Sequence, residues 1–368
     1  MYYFRTAIKN VDKILLILPF IFAALSILMI SSTFYDGGFV IAKPAIVQLA
    51  AYIIGFAFVI FFIAIDYMSF KYWEKALYIF SIVFLLTVYI PGFGVELFGA
   101  RSWINLGFMY FQPSELIKIT FALLMAMYLE RHRMEMQNFK GFVKAFLYAA
   151  PIIGIIAKED LGSGLVFCCM WAIMVFFGGV DLVIVGRTCL AFIVSVPIMF
   201  RFLDQYQKER ITAFLHPEDT SIEATYQIMQ SKIAIGSGGF FGKGLFHGVL
   251  KELDFLPVQT SDFIFAVICE ELGFIGGALL IVLYGVFVYR CAKICHHSTD
   301  LYSGLIVVGF IGMFVFQIFE NIGMTMGVMP CTGITLPFIS AGGSSIISNM
   351  MALGLILAVN IKSNMFNY

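Results

Sequence analysis

Long apolar runs separated by short polar segments dominate the chain. Ten of them lie at residues 14–32, 45–65, 73–90, 114–129, 146–157, 162–177, 182–200, 263–289, 303–327 and 344–361. A hydrocarbon core about 30 Å thick requires about 20 apolar residues per helix, and only helices and closed barrels cross it with their backbone groups satisfied. Continuous runs without strand-like alternation favour helices. We therefore predict an all-α polytopic membrane protein with about ten transmembrane helices, forming one membrane domain over residues 1–368.

Two of these runs leave a choice open. The fifth and sixth runs are short and are separated only by residues 158–161, so they form either two spans or one re-entrant hairpin. The first run follows Arg5, Lys9 and Lys13, as in a signal peptide, but no small-x-small cleavage pattern follows it. We interpret the first run as a retained helix.

Lysine and arginine are distributed unevenly over the short loops, which predicts the orientation. An N-in, C-in arrangement places most of them on the cytoplasmic side. These are Arg5, Lys9, Lys13, Lys71, Lys75, Arg131, Arg133, Lys140, Lys144, Arg187, Arg290, Lys293 and Lys362. The short outer loops keep only Lys43, Arg101 and Lys158. The long segment 202–261, between helices 7 and 8, is then an extracytoplasmic loop.

Composition agrees with a membrane protein and excludes several other classes. Hydrophobic residues make up 61% of the chain and charged residues 12%, and the mean hydropathy is +0.94, which excludes a soluble protein. The 23 basic residues balance 23 acidic ones, so nothing indicates a nucleic-acid partner. The seven cysteines lie mostly inside apolar runs and predict neither a disulfide framework nor a metal knuckle.

Several ionisable residues fall at the predicted outer face. Asp262 stands at the entrance of the eighth run, where Ser261 or Thr260 can cap the helix and its dipole stabilises a carboxylate in the first turn. Arg101 lies in an outer loop, and Pro113 opens a helix that carries Glu115 and Lys118 three residues apart. Lys118 either neutralises Glu115 or, with Arg101, binds an anionic headgroup, since ionisable residues in spans usually face a cavity or a partner.

Other polar residues at this face also have two possible roles each. Asp160 is either the N-cap of the sixth helix or part of the same ligand zone as Arg101. The segment 330–345 contains two prolines and three glycines, which indicates a broken backbone that lines a cavity or is buried in protein. Ser340 and Ser344 can either satisfy its freed backbone groups or contact a ligand.

The glycine-rich stretch 236–244 has the composition of a flexible loop. It is not a phosphate-binding P-loop, because no strand precedes it and the GxxxxGK[ST] spacing is absent. We interpret it as a mobile lid or an acceptor-positioning loop in preference to a linker.

Five stretches together resemble a known family. They are GARSWINLGFMYFQPSELIKI, KEDLGSGLVF, YQIMQSKIAIGSGGFFGKGLFHG, LDFLPVQTSDFIFAVICEELGFIGG and NIGMTMGVMPCTGITLPFISAGGSS. In this order they resemble the SEDS (shape, elongation, division and sporulation) family, also called the RodA/FtsW family. The resemblance implies a ten-helix glycosyltransferase of the bacterial inner membrane that polymerises lipid II into peptidoglycan during cell-wall biogenesis. It also implies a class B penicillin-binding protein as partner, and the compact chain favours the elongation branch, which acts in cell shape.

By motif, Asp262 falls on the essential aspartate of this family, and Arg101, Glu115, Lys118 and Asp160 fall on polar positions near its central cavity. Glycosyl transfer from a lipid diphosphate needs a base at the acceptor and positive charge at the leaving group. Asp262 is then either that base, with Arg101 and Lys118 stabilising the diphosphate, or a ligand of Mg²⁺ or Mn²⁺ together with Asp160 or Glu115. No organic cofactor is expected. A lipid II flippase and a non-catalytic scaffold of the cell-wall complex are the alternative functions.

Overall fold

A chain of mostly helical segments forms the molecule. The computed structural model describes residues 11–35, 42–97, 100–105, 107, 110–201, 203–219, 222–248 and 260–366. The helices, in chain order, are α1 (Lys13–Thr33), α2 (Lys43–Ala64), α3 (Glu74–Leu86), α4 (Pro113–Arg131), α5 (Phe139–Glu159), α6 (Leu161–Phe177), α7 (Leu182–Arg201), α8 (Gln205–Leu215), α9 (Glu223–Ser237), α10 (Ile264–His296), α11 (Leu301–Thr325) and α12 (Gly343–Phe366). Strands β1 (Gly94–Leu97), β2 (Ala100–Asn105) and β3 (Tyr110–Phe111) lie between α3 and α4.

Several helices begin where the sequence supplies a cap or a proline. Asp12 accepts hydrogen bonds from the backbone N–H groups of Ile14 and Leu15 at the start of α1, and Asp300 caps α11 in the same way. Pro113 is the first residue of α4, where its missing N–H would have no partner in any case. Local chemistry therefore defines these entry points before tertiary packing is considered.

The central layer consists of α12, α11 and α4, whose residues are mostly buried. Helix α12 packs against α2 and α4, while α11 packs against α6, α10 and α4. Large apolar side chains remain exposed on the outer helices, for example Ile53, Ile79 and Leu279. Such an exposed apolar exterior suits a protein surrounded by lipid.

Seven helical segments in the described part of the chain are long and apolar enough to cross a membrane. They are Lys13–Thr33, Lys43–Ala64, Tyr67–Tyr89, Phe139–Glu159, Ile264–His296, Leu301–Thr325 and Gly343–Met365. The three other predicted runs are occupied by α4, α6 and α7. A multi-pass helical protein is confirmed, while the count of ten spans and their orientation stay predictions.

Helices α5 and α6 meet at one residue, Asp160, which follows α5 and caps α6. Helix α5 begins at Phe139, seven residues before the predicted run. Its 21 residues correspond to about 32 Å at about 1.5 Å per residue. This helix is therefore long enough to span a hydrocarbon core of about 30 Å.

A small antiparallel sheet departs from the predicted all-α fold. The strands are ordered β1-β2-β3, with Val95 opposite Trp103 and Ile104 opposite Phe111. The strands are short and are interrupted by glycines and prolines, so the segment reads as an irregular loop in the sequence. Hydrogen bonds between the strands, which no local sequence pattern predicts, make this segment a sheet. The sheet positions Arg101.

The segment 202–261, predicted to be extracytoplasmic, contains two helices in its described part. Helix α9 ends where the glycine-rich stretch begins. Helix α8 occupies what reads as a charged patch in the sequence, and a capping box between Asp204 and Gln207 starts it. Helix α9 packs against α10, and α8 packs against α9.

Candidate active site around Asp262

Asp262 lies just before α10, at a junction of the outer segment with the broken segment 330–345. Helix α10 begins at Ile264 after Phe263, which makes no side-chain cap bond. Asp262 therefore precedes the helix, and the expectation that it lies in a first turn capped by Ser261 or Thr260 is wrong. The carboxylate is half-buried and faces neighbouring protein groups.

Backbone contacts hold Asp262 in place. The Asn321 amide donates to the carbonyl oxygens of Asp262 at 2.9 Å and Ile334 at 2.8 Å. The Ser340 hydroxyl donates to the Ser261 carbonyl and accepts from the backbone N–H of Leu336 at 2.8 Å. Ser340 therefore satisfies freed backbone groups, the first of the two roles considered for it.

Arg210 of α8 reaches the same place as Asp262, over Gly333. A Cβ built on Gly333 would lie 3.1 Å from Arg210 Nη1 and 3.3 Å from Asp262 Oδ2. Gly333 has φ +74°, in the left-handed region that disfavours other residues. The Arg210 guanidinium also lies over the Tyr206 ring, 4.3 Å from its centroid, and donates to the Tyr206 hydroxyl. Arg210 is thus oriented toward Asp262 from outside the bundle.

Burial is the largest influence on the Asp262 carboxyl and raises its pKa above the ordinary range. A hydrogen bond with Ser261 and the charge of Arg210 act in the opposite direction, and the charge of Asp160 adds to the rise. A general base works best when its pKa lies near the working pH. The environment of Asp262 shifts this carboxyl in that direction.

Glu320 adds a second carboxylate, a buried one, that the sequence shows only as a polar interruption of an apolar run. It is 2% exposed, its Oε1 accepts from the Thr332 hydroxyl, and its Oε2 has no hydrogen-bond partner among the described residues. It also interacts electrostatically with Asp262 and Arg210. Such an ionisable residue inside a span is itself a signal for a functional site.

Asp160 fulfils the capping role and lies close to Asp262 as well. It accepts from the Ser163 backbone N–H at 3.1 Å, the Ser163 hydroxyl at 2.7 Å and the Gln112 amide at 3.0 Å. A Cβ on Gly162 would lie 2.8 Å from the Thr332 carbonyl oxygen. The start of α6 therefore packs directly on the segment that carries Gly333.

Arg101 borders a small cleft between the sheet and the α5–α6 junction. Asp160, Glu159 and Tyr89 line the same cleft, and the Tyr89 hydroxyl donates to Glu159 Oε1 at 2.6 Å. The predicted proximity of Arg101 and Asp160 is therefore present in the fold.

Lys118 and Glu115 form a buried pair of their own. Lys118 Nζ lies 2.7 Å from Glu115 Oε1, and the two residues are 1% and 5% exposed. The Ser348 hydroxyl donates to the Glu115 backbone carbonyl at 2.7 Å, which places the pair in the α4–α12 interface. Ser344, one turn before Ser348, is buried there as well. The self-neutralising pair considered from the sequence is what the structure contains.

The divalent cation considered for Asp262 from the sequence stays a prediction. Within the part of the chain that the structure describes, no three His, Cys, Asp or Glu side chains are placed to hold a metal ion. Of the two expected co-ligands, Asp160 already accepts three hydrogen bonds, and Glu115 is paired with Lys118.

The glycine-rich loop forms hydrogen bonds and an ion pair with α10 next to a kink of this helix at Gly273. The backbone N–H groups of Lys243 and Gly244 donate to the Glu270 and Glu271 carbonyls, both at 3.0 Å, and Lys243 Nζ lies 2.7 Å from Glu270 Oε1. Gly273 has φ +67°, and a Cβ there would lie 2.3 Å from the Gly242 nitrogen. Up to residue 248 the loop is therefore anchored to α10, which argues against a freely mobile lid, while its acceptor-positioning role stays a prediction. Residues 249–259 lie outside the described chain.

Comparison with known proteins adds an independent line of evidence. The family profile described as "Cell cycle protein", which covers FtsW, RodA and SpoVE, matches residues 6–365. Stage V sporulation protein E of Bacillus subtilis (strain 168) is 35% identical over 362 residues, covering 95% of this chain and 96% of that protein. Peptidoglycan glycosyltransferase MrdB of Escherichia coli (strain K12) is 34% identical over 296 residues, covering 80% of each.

The fold is similar to that of a chain in a solved peptidoglycan synthase complex that coordinates polymerization and crosslinking. The TM-score is 0.81 at 29% identity, with 96% of this chain and 98% of that chain covered. Sequence and fold thus agree over nearly the whole length, and the chain belongs to the FtsW/RodA/SpoVE (SEDS) family.

Proposed function

We propose that the chain is a peptidoglycan glycosyltransferase that polymerises lipid II into glycan strands at the extracytoplasmic face of the bacterial cytoplasmic membrane. The observation that carries the proposal is the convergence of the Asp262 carboxylate and the Arg210 guanidinium over Gly333. The activity named for the Escherichia coli relative supports the reaction class.

In the proposed reaction, the acceptor sugar hydroxyl attacks the anomeric carbon of the donor lipid. The new glycosidic C–O bond forms as the bond to the diphosphate breaks. Asp262 takes the hydroxyl proton, and the undecaprenyl diphosphate leaves with the electron pair of the broken bond. A correctly placed general base typically contributes about 10²–10⁴-fold to such a rate.

The leaving diphosphate requires positive charge, and the fold changes which residues we assign to it. Lys118 is engaged by Glu115 in a buried interface, so its positive charge is already neutralised. Arg101 and Arg210 take this role, because a guanidinium binds phosphate oxygens with two parallel hydrogen bonds. Lys118 and Glu115 then hold α4 against α12 behind the site.

Arg210 also acts on Asp262 itself. Its positive charge favours the ionised carboxylate, which is the form that accepts a proton. In this proposal Arg210 has two roles. It keeps the Asp262 carboxylate ionised, and it stabilises the departing diphosphate.

We further propose the elongation branch of the family and a class B penicillin-binding protein as partner. The similarity to a chain of a polymerising and crosslinking complex supports such a partner. The relatives include a sporulation protein, so complementation of an elongation-deficient strain and of a sporulation-deficient strain distinguishes the branches. A strain that regains rod shape supports the elongation branch, and rescue of only a sporulation defect argues against it.

The test of the activity is reconstitution of the purified chain with a class B penicillin-binding protein and fluorescent lipid II. Gel-resolved glycan strands support the proposal, and their persistence in chelator argues against a required divalent cation. Strand synthesis that stops in chelator and returns with Mg²⁺ or Mn²⁺ would restore the metal-ligand role of Asp262. Headgroup transport across the liposome membrane without any polymer would instead support a flippase. The absence of both transport and polymer would support a non-catalytic scaffold.

A further inference from the structure

The glycine-rich loop bonds to the backbone groups that a continuous α10 would pair with each other. In an unbroken α-helix, the N–H groups of residues 274 and 275 donate to the carbonyls four residues earlier, at 270 and 271. In this structure each of these four groups bonds to the loop, at the point where Gly273 has φ +67° and ψ −165°. The four bonds run from Phe274 N–H to the Gly239 carbonyl (2.9 Å), from Ile275 N–H to the Phe240 carbonyl (3.3 Å), from Lys243 N–H to the Glu270 carbonyl (3.0 Å) and from Gly244 N–H to the Glu271 carbonyl (3.0 Å). The loop is therefore inserted into the hydrogen-bond ladder of α10.

Glycines in the loop make this insertion possible. A Cβ on Gly242 would lie 2.1 Å from the Glu271 carbonyl oxygen, and a Cβ on Gly238 would lie 2.0 Å from the Cys269 carbonyl oxygen. Gly242 also has φ +81°, a conformation that residues with a side chain rarely adopt. The two backbones are thus in direct contact, and a larger residue at either position would push them apart.

Side chains around the insertion hold the loop in place. Glu271 is 1% exposed, and its carboxylate accepts hydrogen bonds from the Ser32 hydroxyl and from the Phe246 backbone N–H, the latter at 3.2 Å. One buried carboxylate thus connects the loop, α10 and α1. The Phe240 ring also stacks on Phe274, with 5.7 Å between the ring centroids.

The direction of the first part of α10 depends on this insertion. If the loop were withdrawn, the N–H groups of residues 274 and 275 and the carbonyls of residues 270 and 271 would pair with each other. Gly273 is able to adopt both the observed and the helical conformation, because it has no Cβ. An inserted loop therefore corresponds to a kinked α10, and a withdrawn loop to a straight one.

The part of α10 before the insertion leads directly to Asp262. Residues 264–272 correspond to about 13 Å at about 1.5 Å per residue, so a change of about 10° in direction would move the start of the helix by about 2 Å. Misplacement of a catalytic group by about 1 Å can reduce a rate about 10²-fold. The kink at Gly273 is thus distant from the reacting groups and still able to control the position of Asp262.

We propose that the glycine-rich loop is a positioning element for Asp262. It keeps α10 kinked at Gly273 and so directs the first part of the helix, with Asp262 ahead of it, toward Arg210. Gly242 and Gly273 are then positioning residues, because they act on the reaction through the direction of α10. The inference rests on the role proposed for Asp262 as the base of the glycosyl transfer.

Two variants displace the loop from opposite sides. Gly242→Ala adds a methyl to the loop, and Gly273→Ala adds one to α10, where it would lie 2.3 Å from the Gly242 nitrogen. Gly285→Ala is the matched control in the same helix, because its φ is not positive and its Cβ would meet no described atom within 4 Å. Phe240→Ala removes the stacking contact without adding an atom, so it keeps the test informative if a glycine variant fails to fold.

The measurement is the rate of glycan synthesis by the purified full chain with a class B penicillin-binding protein, over a range of lipid II concentrations and normalised to folded protein. A displaced base weakens an interaction that acts in the transition state, so it lowers kcat and leaves lipid II binding intact. We expect Gly242→Ala and Gly273→Ala to reduce kcat at least about tenfold at unchanged KM. Phe240→Ala lowers kcat by a smaller factor, and Gly285→Ala keeps both constants.

Two results would overturn the inference while the wild type still makes glycan. A raised KM at unchanged kcat would show that the loop positions the acceptor lipid and not Asp262. Wild-type constants in every folded variant would show that the loop positions neither of them. A wild type that makes no glycan would contradict the proposed function itself, and the inference with it, so the wild-type reaction distinguishes the two failures.

Discussion

Arg210 and Asp262 approach one backbone position, since a single Cβ on Gly333 would contact both head groups, at 3.1 and 3.3 Å. The two residues come from different elements, the outer helix α8 and the turn before α10. The proposed base and the cation therefore both lie beside the Cα atom of Gly333. This relationship leads directly to a substitution that tests the geometry without removing either charge.

We expect Gly333→Ala to reduce glycan polymerisation at least tenfold. The added methyl displaces Arg210 or Asp262, and a non-glycine residue at positive φ costs about 1–3 kcal/mol. Gly342→Ala is the matched control in the same segment, because its Cβ would meet Ser345 at an ordinary 3.5 Å. Glycan yields on gels, normalised to folded protein, provide the measurement. Equal activity of the two variants would show that the meeting point at Gly333 is unimportant.

The pH dependence of polymerisation reports the state of Asp262. A base must be ionised, so the rate falls as pH falls through the pKa of Asp262, which burial raises above the ordinary range. Arg210→Gln removes a charge that lowers this pKa and moves the acid limb to higher pH. Asp160→Asn keeps a capping side chain but removes a charge that raises the pKa, and moves the limb to lower pH.

Rate profiles of the three proteins under single-turnover conditions provide this comparison. An acid limb that stays in place in both variants would contradict the assignment of Asp262 as the titrating base.

The buried pair of Lys118 and Glu115 predicts a non-additive effect on stability. Lys118→Met leaves the Glu115 carboxylate buried without its partner, and breaking such a pair costs about 3–5 kcal/mol. The double variant Lys118→Met with Glu115→Gln recovers most of that loss. Lys144→Met, which breaks the exposed pair with Glu135, has a much smaller effect, because solvent screens exposed ion pairs.

Thermal unfolding in detergent measures all four proteins. A double variant as unstable as Lys118→Met would show that the lysine contributes through something other than this pair.

The anchoring of the glycine-rich loop is open to a direct test. Gly273→Ala places a methyl against the Gly242 nitrogen at positive φ, so we expect faster hydrogen exchange at Lys243 and Gly244, whose N–H groups bond to α10. Gly236→Ala is the control, because nothing lies within 4 Å of its Cβ and its φ is not positive. Unchanged exchange in Gly273→Ala would indicate that the loop is held by other contacts.

Local signals in the sequence were sufficient for much of this architecture. Apolar runs locate the long helices, since hydrophobic length is itself the signal for a span. The sequence identifies Asp160 as a helix cap. It also identifies Asp262 as a charge at the entrance of an apolar run, where burying it costs free energy. These features depend on neighbours within a few residues, so they can be predicted from the sequence without knowledge of the fold.

Features that depend on distant contacts could not be predicted in the same way. Arg210 reads as one of several charges in a polar patch, and only the packing of α8 brings it to Gly333. The choice of Lys118 between Glu115 and an external anion depends on whether α12 covers it. The sheet that carries Arg101 requires pairing of short strands, for which the sequence holds no periodic signal.

The central claim is that Asp262 is the base of lipid II polymerisation, and it is tested by comparing Asp262→Asn with wild type in the reconstituted reaction. Asparagine keeps the size of the side chain but cannot accept the proton, so we expect glycan synthesis to fall by about 10²–10⁴-fold. Glu218→Gln, which removes an exposed carboxylate of the outer segment, keeps wild-type activity. Strand synthesis by Asp262→Asn at the wild-type rate would contradict the account.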